Sequence, residues 1–350
     1  MSKRAKRKLD HIEHALSTGQ SRESGFDDIR FIHQSLPNVN VKDISLNSKI
    51  GGLEISSPIL INAMTGGGGK STEGINRQLA EIAVACDLPI AVGSQMSALK
   101  DKSEVPSYQI VRQVHKKGFI FANVGSEATV EQAKRCIEML DADALQVHLN
   151  VIQELVMPEG DREFSGALKR IEEIVSEVDI PVIVKEVGFG MSKESAEKLK
   201  EVGVDVIDVG GYGGTNFSKI ENQRRILPHS FFNEWGIPTS VSIAEVKHST
   251  DQLSIVATGG LQSAMDIAKA IALGADGVGM AGQVLSWLQK SGVEGAIESI
   301  DHLKGELRII MTALGAEKIA QLQRCPIIIS NETKEWLCQR EINIKSFANR

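Results

Sequence analysis

Two short glycine-containing segments, Gly259-Gly260 and Ala281-Gly282, offer the first chemistry in the chain. Glycines let backbone N–H groups approach phosphate oxygens, and a helix start behind them adds favourable partial charge. The full unit runs Thr258-Gly259-Gly260-Leu261, then an alanine-rich helical stretch, then Gly274-Ala275-Asp276-Gly277-Val278-Gly279-Met280-Ala281-Gly282. Its second arm comes about twenty residues after the first, the spacing of a phosphate held between two consecutive strand ends. Gly213-Gly214-Thr215 adds a hydroxyl and further donors for the same anion. Lys185 closes the apolar run Val182-Ile183-Val184. A lysine there either meets an anion or pairs with neighbouring Glu186, since an uncompensated buried charge is costly. The stretch from His148 through Asn150 and Gln153 to Glu154 is the other polar concentration. His148 reads as a packed histidine or a pocket residue, and Glu154 as a surface helix residue or a metal ligand. Lys3, Arg4, Lys6, Arg7 and Lys8, with His11 close behind, form a basic cluster. It reads as a solvated tail or as a cationic arm.

These residues need a frame. Between residues 58 and 290 the sequence alternates β-branched runs with amphipathic segments, the signature of βα units. The runs are Pro58–Ala63, Pro89–Gly93, Phe119–Val124, Ala144–Leu149, Pro181–Val187, Val204–Val209, Ser254–Ala257 and Gly277–Ala281. Each is close to continuously apolar, as strands buried on both faces should be. Thr129-Val130-Glu131-Gln132 predicts a capping box, and Ile75, Leu79, Ile82, Ala83 and Cys86 form a helical stripe. Eight units in this length predict a single closed (β/α)8 TIM barrel rather than an open doubly wound sheet. Polar or glycine-rich residues follow one run after another: Met64 to Gly69, Ser94-Gln95, Asn123, His148 to Glu154, Lys185-Glu186, Gly210 to Asn216, Thr258 to Gly260, and Ala281-Gly282. Barrel enzymes assemble their sites on this one rim. The tetraglycine Gly66–Gly69 reads as a flexible loop or, from its position beside the end of the first strand, as close approach to a flat ligand. Residues 1–57 are expected to form an N-terminal arm and cap, 58–290 the barrel, and 291–350 C-terminal helices packing on it. Leu307, Ile310, Met311 and Leu314 mark one face of the last of these.

The chain's 350 residues, 42% hydrophobic and 24% charged, supply the core such a barrel needs. Four scattered cysteines without a C-x-x-C pair disfavour a disulfide framework or zinc site and fit a reducing cytoplasm. A net charge of −6 argues against nucleic-acid binding. The absence of a long apolar run argues against a membrane span, and the charged start is not signal-like.

A cation at the end of the fifth strand beside a phosphate cradle fits FMN, because a reduced flavin is anionic along one edge. Asn123 and Ser94 are placed to bond the rest of that edge. With Met64-Thr65-Gly66-Gly67, Val92-Gly93-Ser94-Gln95, Gln146-Val147-His148-Leu149-Asn150, Gln153-Glu154, Lys185 to Gly190 and Gly210 to Asn216, the chain resembles the type 2 isopentenyl-diphosphate isomerase family along essentially its whole length. That resemblance implies an FMN-dependent enzyme of isoprenoid precursor synthesis. It also implies a bound Mg²⁺, NADPH as reductant, and a tetrameric or octameric homo-oligomer. It assigns the flavin to Ala63, Met64, Thr65, Ser94, Asn123, Lys185, Thr215, Gly259, Gly260, Leu261, Ala281 and Gly282. The substrate diphosphate falls to Arg7 and Lys8, aided by His11, with Asn150 and His148 completing a polar pocket. Gln153 lies near the allylic carbons and Glu154 on Mg²⁺. Met96 stands where some relatives carry Arg, so one phosphate contact is expected to be missing or supplied differently.

The implied reaction moves a double bond by adding a proton at one carbon and removing another two carbons away. Such chemistry needs an acid and a base within hydrogen-bond reach. The family view gives these transfers to the reduced flavin, with Lys185 supporting its charge and Gln153, which does not titrate near neutrality, orienting the substrate. A single glutamate suffices for Mg²⁺ when phosphates supply other oxygens. The rival reading is an FMN-dependent 2-hydroxy acid oxidoreductase. It expects a base and an arginine after the sixth strand, where this chain reads Gly211-Tyr212-Gly213-Gly214-Thr215-Asn216. An inosine-monophosphate-dehydrogenase-like reading lacks its cysteine in that loop. A non-catalytic flavin-binding protein has no use for Gln153, Glu154 or the basic arm.

Overall fold

The computed structural model describes residues 23–250 and 252–350. Eight parallel strands close into a barrel: β1 (Ile59–Ile61), β2 (Ile90–Ala91), β3 (Ile120–Gly125), β4 (Ala144–Leu149), β5 (Val182–Glu186), β6 (Val206–Asp208), β7 (Ser254–Ala257) and β8 (Gly277–Met280). Seven fall inside the expected apolar runs and β3 passes the end of its own by one residue, Gly125; pairing of β8 with β1 and of β6 with β7 completes the ring. The TIM barrel expected from the sequence is the fold observed.

Because side chains alternate along a strand, each barrel strand feeds two cores. Ile59, Ile61, Ile120, Ala122, Val124, Leu145, Val147, Val182, Val184 and Ile207 face outward into the shell of helices. Leu60, Ala91, Phe121, Ala144, Ile183, Val206 and Val256 fill the barrel interior. Ile50 and Ile55 join that interior cluster. They come from an antiparallel hairpin, Ser48–Ile50 with Leu53–Ile55, which plugs the end where the strands begin. Gly277 accommodates this plug, since a Cβ there would meet the Ile50 side chain. The chain thereby closes one mouth of the barrel with apolar matter and leaves chemistry to the other.

The connecting helices follow their sequence signals. Val130–Leu140 opens on the predicted capping box: the Thr129 hydroxyl accepts from the Gln132 N–H at 3.3 Å, and the Gln132 side chain accepts from the Thr129 N–H at 3.0 Å. Gly69–Cys86 buries Leu79, Ile82, Ala83 and Cys86, the stripe read from spacing. The last long helix, Gly282–Ala313, starts directly on the end of β8 and breaks its helical geometry at Gly292. Leu307 and Met311 are its buried face, with Ile310 and Leu314 packed beside them. A two-stranded sheet pairs Ile29–Phe31 with Ile327–Ile329, and Asp28 accepts from the N–H groups of Ser330 and Thr333. Both flanks of the barrel are thus tied to one another. Among the described residues no helix is long and apolar enough to cross a membrane.

Candidate active site

The open mouth of the barrel holds a cavity formed by the ends of its strands. On one side lie the turn after β7, with Gly259, Gly260 and Leu261, and the start of the helix after β8, with Ala281 and Gly282. Gly259 and Gly260 sit at φ of +108° and +81°, a region that a side chain strains. A Cβ on Gly259 would strike the Gly211 carbonyl, and one on Gly260 the Gly213 carbonyl. The two glycines therefore let the β6 and β7 loops close together. Gly211 N–H reaches the Thr258 carbonyl at 2.7 Å, and the Thr239 hydroxyl donates to the Gly259 carbonyl at 2.6 Å. The next helix, Ala264–Leu273, has its own capping box from Ser263 and Asp266. The glycine turn and the start of the helix Gly282–Ala313 meet at one corner of the cavity and make an anion site from backbone donors.

The floor of the cavity was only partly legible in the sequence. Two residues beyond six of the seven interior strand residues the barrel presents a polar layer, Asn62, Asn123, Gln146, Lys185, Asp208 and Thr258, and beyond the seventh, Ala91, stands Gly93. Gly279, whose Cβ would meet Asn62 Nδ2 and Thr258 Cγ2, leaves them room. Asp208, fully buried, is the anchor. Its Oδ2 takes Asn62 Nδ2 at 2.7 Å and faces Lys185 Nζ at 3.5 Å; its Oδ1 takes the Gly210 N–H at 3.1 Å and the Thr258 hydroxyl. Lys185 pairs with Asp208, not with the Glu186 side chain, which points to the other face of β5. The ammonium donates to the Glu186 carbonyl at 2.6 Å. Glu186 instead accepts the N–H groups of Val187, Gly188 and Phe189 at 2.6–2.9 Å and so shapes the β5 loop. Burial pushes its carboxyl up to about 7, against the pull of those three donors and of Lys185.

The far wall comes from the short helix Val151–Val156 after β4. His148, Asn150, Gln153 and Glu154 all line the cavity. Asn150 Nδ2 donates to Glu154 Oε1 at 2.8 Å, and the Asp161 N–H to Glu154 Oε2 at 2.8 Å. Glu154 thus brings a carboxylate, a hard oxygen donor of the kind Mg²⁺ takes, to this wall of the cavity. Gln153 Nε2 lies 3.4 Å from Oε1 of Glu221. Glu221 is fully buried, its other oxygen held by Arg224, which also pairs with Glu159. Sequence reading did not single out Glu221, because it lies within a helix, Phe217–Asn222, and carries no motif.

Every cofactor-side residue expected from the sequence that lies within the described part lines this one cavity: Ala63, Met64, Thr65, Ser94, Asn123, Lys185, Thr215, Gly259, Gly260, Leu261, Ala281 and Gly282. Arg7, Lys8 and His11 lie outside the described residues. Two expectations change. Of the tetraglycine only Gly66 lines the cavity, and its missing Cβ makes room for the Tyr108 ring. Gly213 packs against Ser24 instead of facing the cavity. Met96 is buried in the helical shell.

The family model described as FMN-dependent dehydrogenase matches residues 121–328. The isopentenyl-diphosphate delta-isomerase of Geobacillus sp. (strain WCH70) is 57% identical over 347 residues, 99% of each chain. That of Bacillus licheniformis is 57% identical over 97% of each. The chain belongs to the isopentenyl-diphosphate delta-isomerase family. Within the same fold, a mandelate oxidase variant with benzaldehyde superposes with a TM-score of 0.67 at 16% identity, covering 93% of this chain and 97% of the other. A flavocytochrome b2 variant with pyruvate bound gives 0.68 at 18%, covering 95% and 87%. At those identities the likeness is one of barrel architecture. The loop after β6 carries Tyr212, Thr215 and Asn216, with no histidine and no arginine between Gly210 and Asn216.

Proposed function

We propose that this chain interconverts isopentenyl diphosphate and dimethylallyl diphosphate by allylic proton rearrangement, using reduced FMN and Mg²⁺, with NADPH as the reductant. The observation that carries the reading is one cavity with two unlike walls. A glycine and helix-start cradle stands on the β7–β8 side, and an amide–carboxylate wall of Asn150, Gln153 and Glu154 faces it.

The residues fit FMN. Gly259, Gly260, Leu261, Ala281, Gly282 and Thr215 would hold its phosphate by backbone and hydroxyl donors. Ala63, Met64, Thr65, Ser94, Asn123 and Lys185 would hold the ring. When bound and reduced, the flavin supplies a proton-exchanging nitrogen and a delocalised negative charge. Lys185 meets that charge with a cation that Asp208 keeps in place. Gln153, its amide oriented by Glu221, directs the substrate's allylic carbons. His148 and Asn150 would bond the polar end of the substrate, and Glu154 would supply a carboxylate to Mg²⁺. Arg7 and Lys8, aided by His11, would bind the diphosphate, Arg being suited to paired bonds and Lys to a point-charge contact. The reading divides the chain into an arm and cap (1–57), a barrel (58–290) and C-terminal helices (291–350). It includes a cytoplasmic location and a homo-oligomer of four or eight chains. Self-association is supported by the exposed Ile226, Leu227, Phe231 and Trp235 on one loop.

The test is an anaerobic incubation with FMN, NADPH, Mg²⁺ and isopentenyl diphosphate. Dimethylallyl diphosphate should form while far less than one NADPH is consumed per product. Stoichiometric NADPH consumption would make the protein an oxidoreductase. No turnover in the reduced, metal-supplied state would leave a binding protein and end the isomerase reading.

A further inference from the structure

The polar layer has a direction. As a carboxylate, Asp208 can only accept hydrogen bonds. Asn62 must therefore turn its amide nitrogen to it, as observed at 2.7 Å. That leaves Asn62 Oδ1 facing the other way, where it accepts Gln146 Nε2 at 2.9 Å and, independently, the Ala63 N–H at 2.8 Å. Gln146 then presents Oε1 to Asn123 Nδ2, 3.1 Å away. Asn123 in turn presents Oδ1 to Nδ1 of His148, at 2.9 Å. A carbonyl oxygen cannot donate, so the proton between them belongs to His148 Nδ1.

We propose that Asp208 is a positioning residue that sets the tautomer of His148 across the barrel, through the side-chain amides of Asn62, Gln146 and Asn123. In the neutral ring this puts the proton on Nδ1 and leaves Nε2 as the basic nitrogen. Reversing Asn62 or Gln146 sets like against like at both of its side-chain contacts, and reversing Asn123 does so at Gln146, so the chain holds one polarity as a whole. Water does not relax the constraint, because Asn62, Asn123, Gln146 and Asp208 are each no more than 4% exposed. Asp208 itself is fixed by donors from three strand ends, including Lys185 and Thr258. A histidine lining the cavity is thereby prepared before anything binds, by a carboxylate it does not touch.

The experiment reads the ring directly. Full-length protein carrying ¹⁵N-histidine is examined by long-range proton–nitrogen NMR above the ring's titration, with the His148 signals assigned by a His148→Gln variant. The wild-type ring should show a protonated Nδ1 and an unprotonated Nε2. In Asp208→Asn the ratio of the Nδ1–H to the Nε2–H form should fall on the order of tenfold, the loss of one enforced buried hydrogen-bond preference. Gln146→Met cuts the chain midway while keeping Asp208, Lys185 and Thr258, and should give the same fall. Retention of the wild-type tautomer in either variant overturns the proposal. If Asp208→Asn does not fold, Gln146→Met decides alone. The value of the set tautomer for turnover rests on the isomerase reading, but the spectrum does not: a protein without isomerase activity would still pass or fail this test.

Discussion

Replacing Lys185 with Met removes one charge from a buried pair while keeping most of the side chain's volume. The ammonium stands 3.5 Å from Asp208, with the two side chains 11% and 0% exposed. Breaking a buried pair by deleting one partner costs about 3–5 kcal/mol, because the survivor is left uncompensated. Here the survivor is unusually well provided for: Asn62, Thr258 and the Gly210 N–H still donate to Asp208. The expected loss therefore falls to or just below the lower edge of that range, about 2–3 kcal/mol. Adding Asp208→Asn in the same chain removes the remaining charge, so the double variant should recover about 1 kcal/mol relative to Lys185→Met alone. Urea unfolding of flavin-free protein, followed by far-ultraviolet circular dichroism, measures both quantities. Repeating it with saturating FMN adds a second reading, since a ligand stabilises by mass action according to its dissociation constant. That increment should shrink in Lys185→Met if the lysine meets the reduced or oxidised flavin. An unchanged flavin-free stability would refute the buried-pair argument. An unchanged increment would refute the role of Lys185 toward the cofactor, independently of the first result.

Three further expectations are simpler. Gly260→Ala must place a Cβ at positive φ against the Gly213 carbonyl, so FMN affinity should fall at least about tenfold, from roughly 1–2 kcal/mol of backbone strain alone; fluorescence titration with unaltered affinity would remove the glycine turn from the cradle. Glu154→Gln should raise the Mg²⁺ concentration needed for half-maximal activity by about tenfold or more, on the loss of one carboxylate from a hard-cation site, and an unshifted metal titration counts against ligation. Deleting residues 1–8 should raise KM for the diphosphate substrate while the far-ultraviolet spectrum of the barrel stays the same; unaltered kinetics would return the basic cluster to the status of a solvated tail.

Most of the frame could be read from the chain. Near-continuous apolar runs betray strands covered on both faces, and local signals such as Thr129 with Gln132 mark helix starts independently of what packs around them. The glycine cradle was legible for the same reason: Gly259 and Gly260 are required by a backbone shape that only glycine adopts easily. The residues Asn62 and Asp208 were present as polar positions inside apolar runs, and Gln146 lay within a motif. Their purpose was invisible there. Asn62 and Asp208 are separated by 146 positions in sequence and meet only because the sheet closes. Likewise Lys185 had two possible partners by sequence, and the pleat chose. Adjacent residues on a strand point to opposite faces, so Glu186 could not share the interior with Lys185, whereas Asp208, beside it on the neighbouring strand, could. Glu221 gave no signal because its significance lies in what reaches it from another loop. Sequence alone determined which residue types end the strands and that those ends form one rim. The tertiary structure decided how those side chains pair, because hydrogen-bond polarity and charge compensation depend on distances that exist only once the barrel is shut.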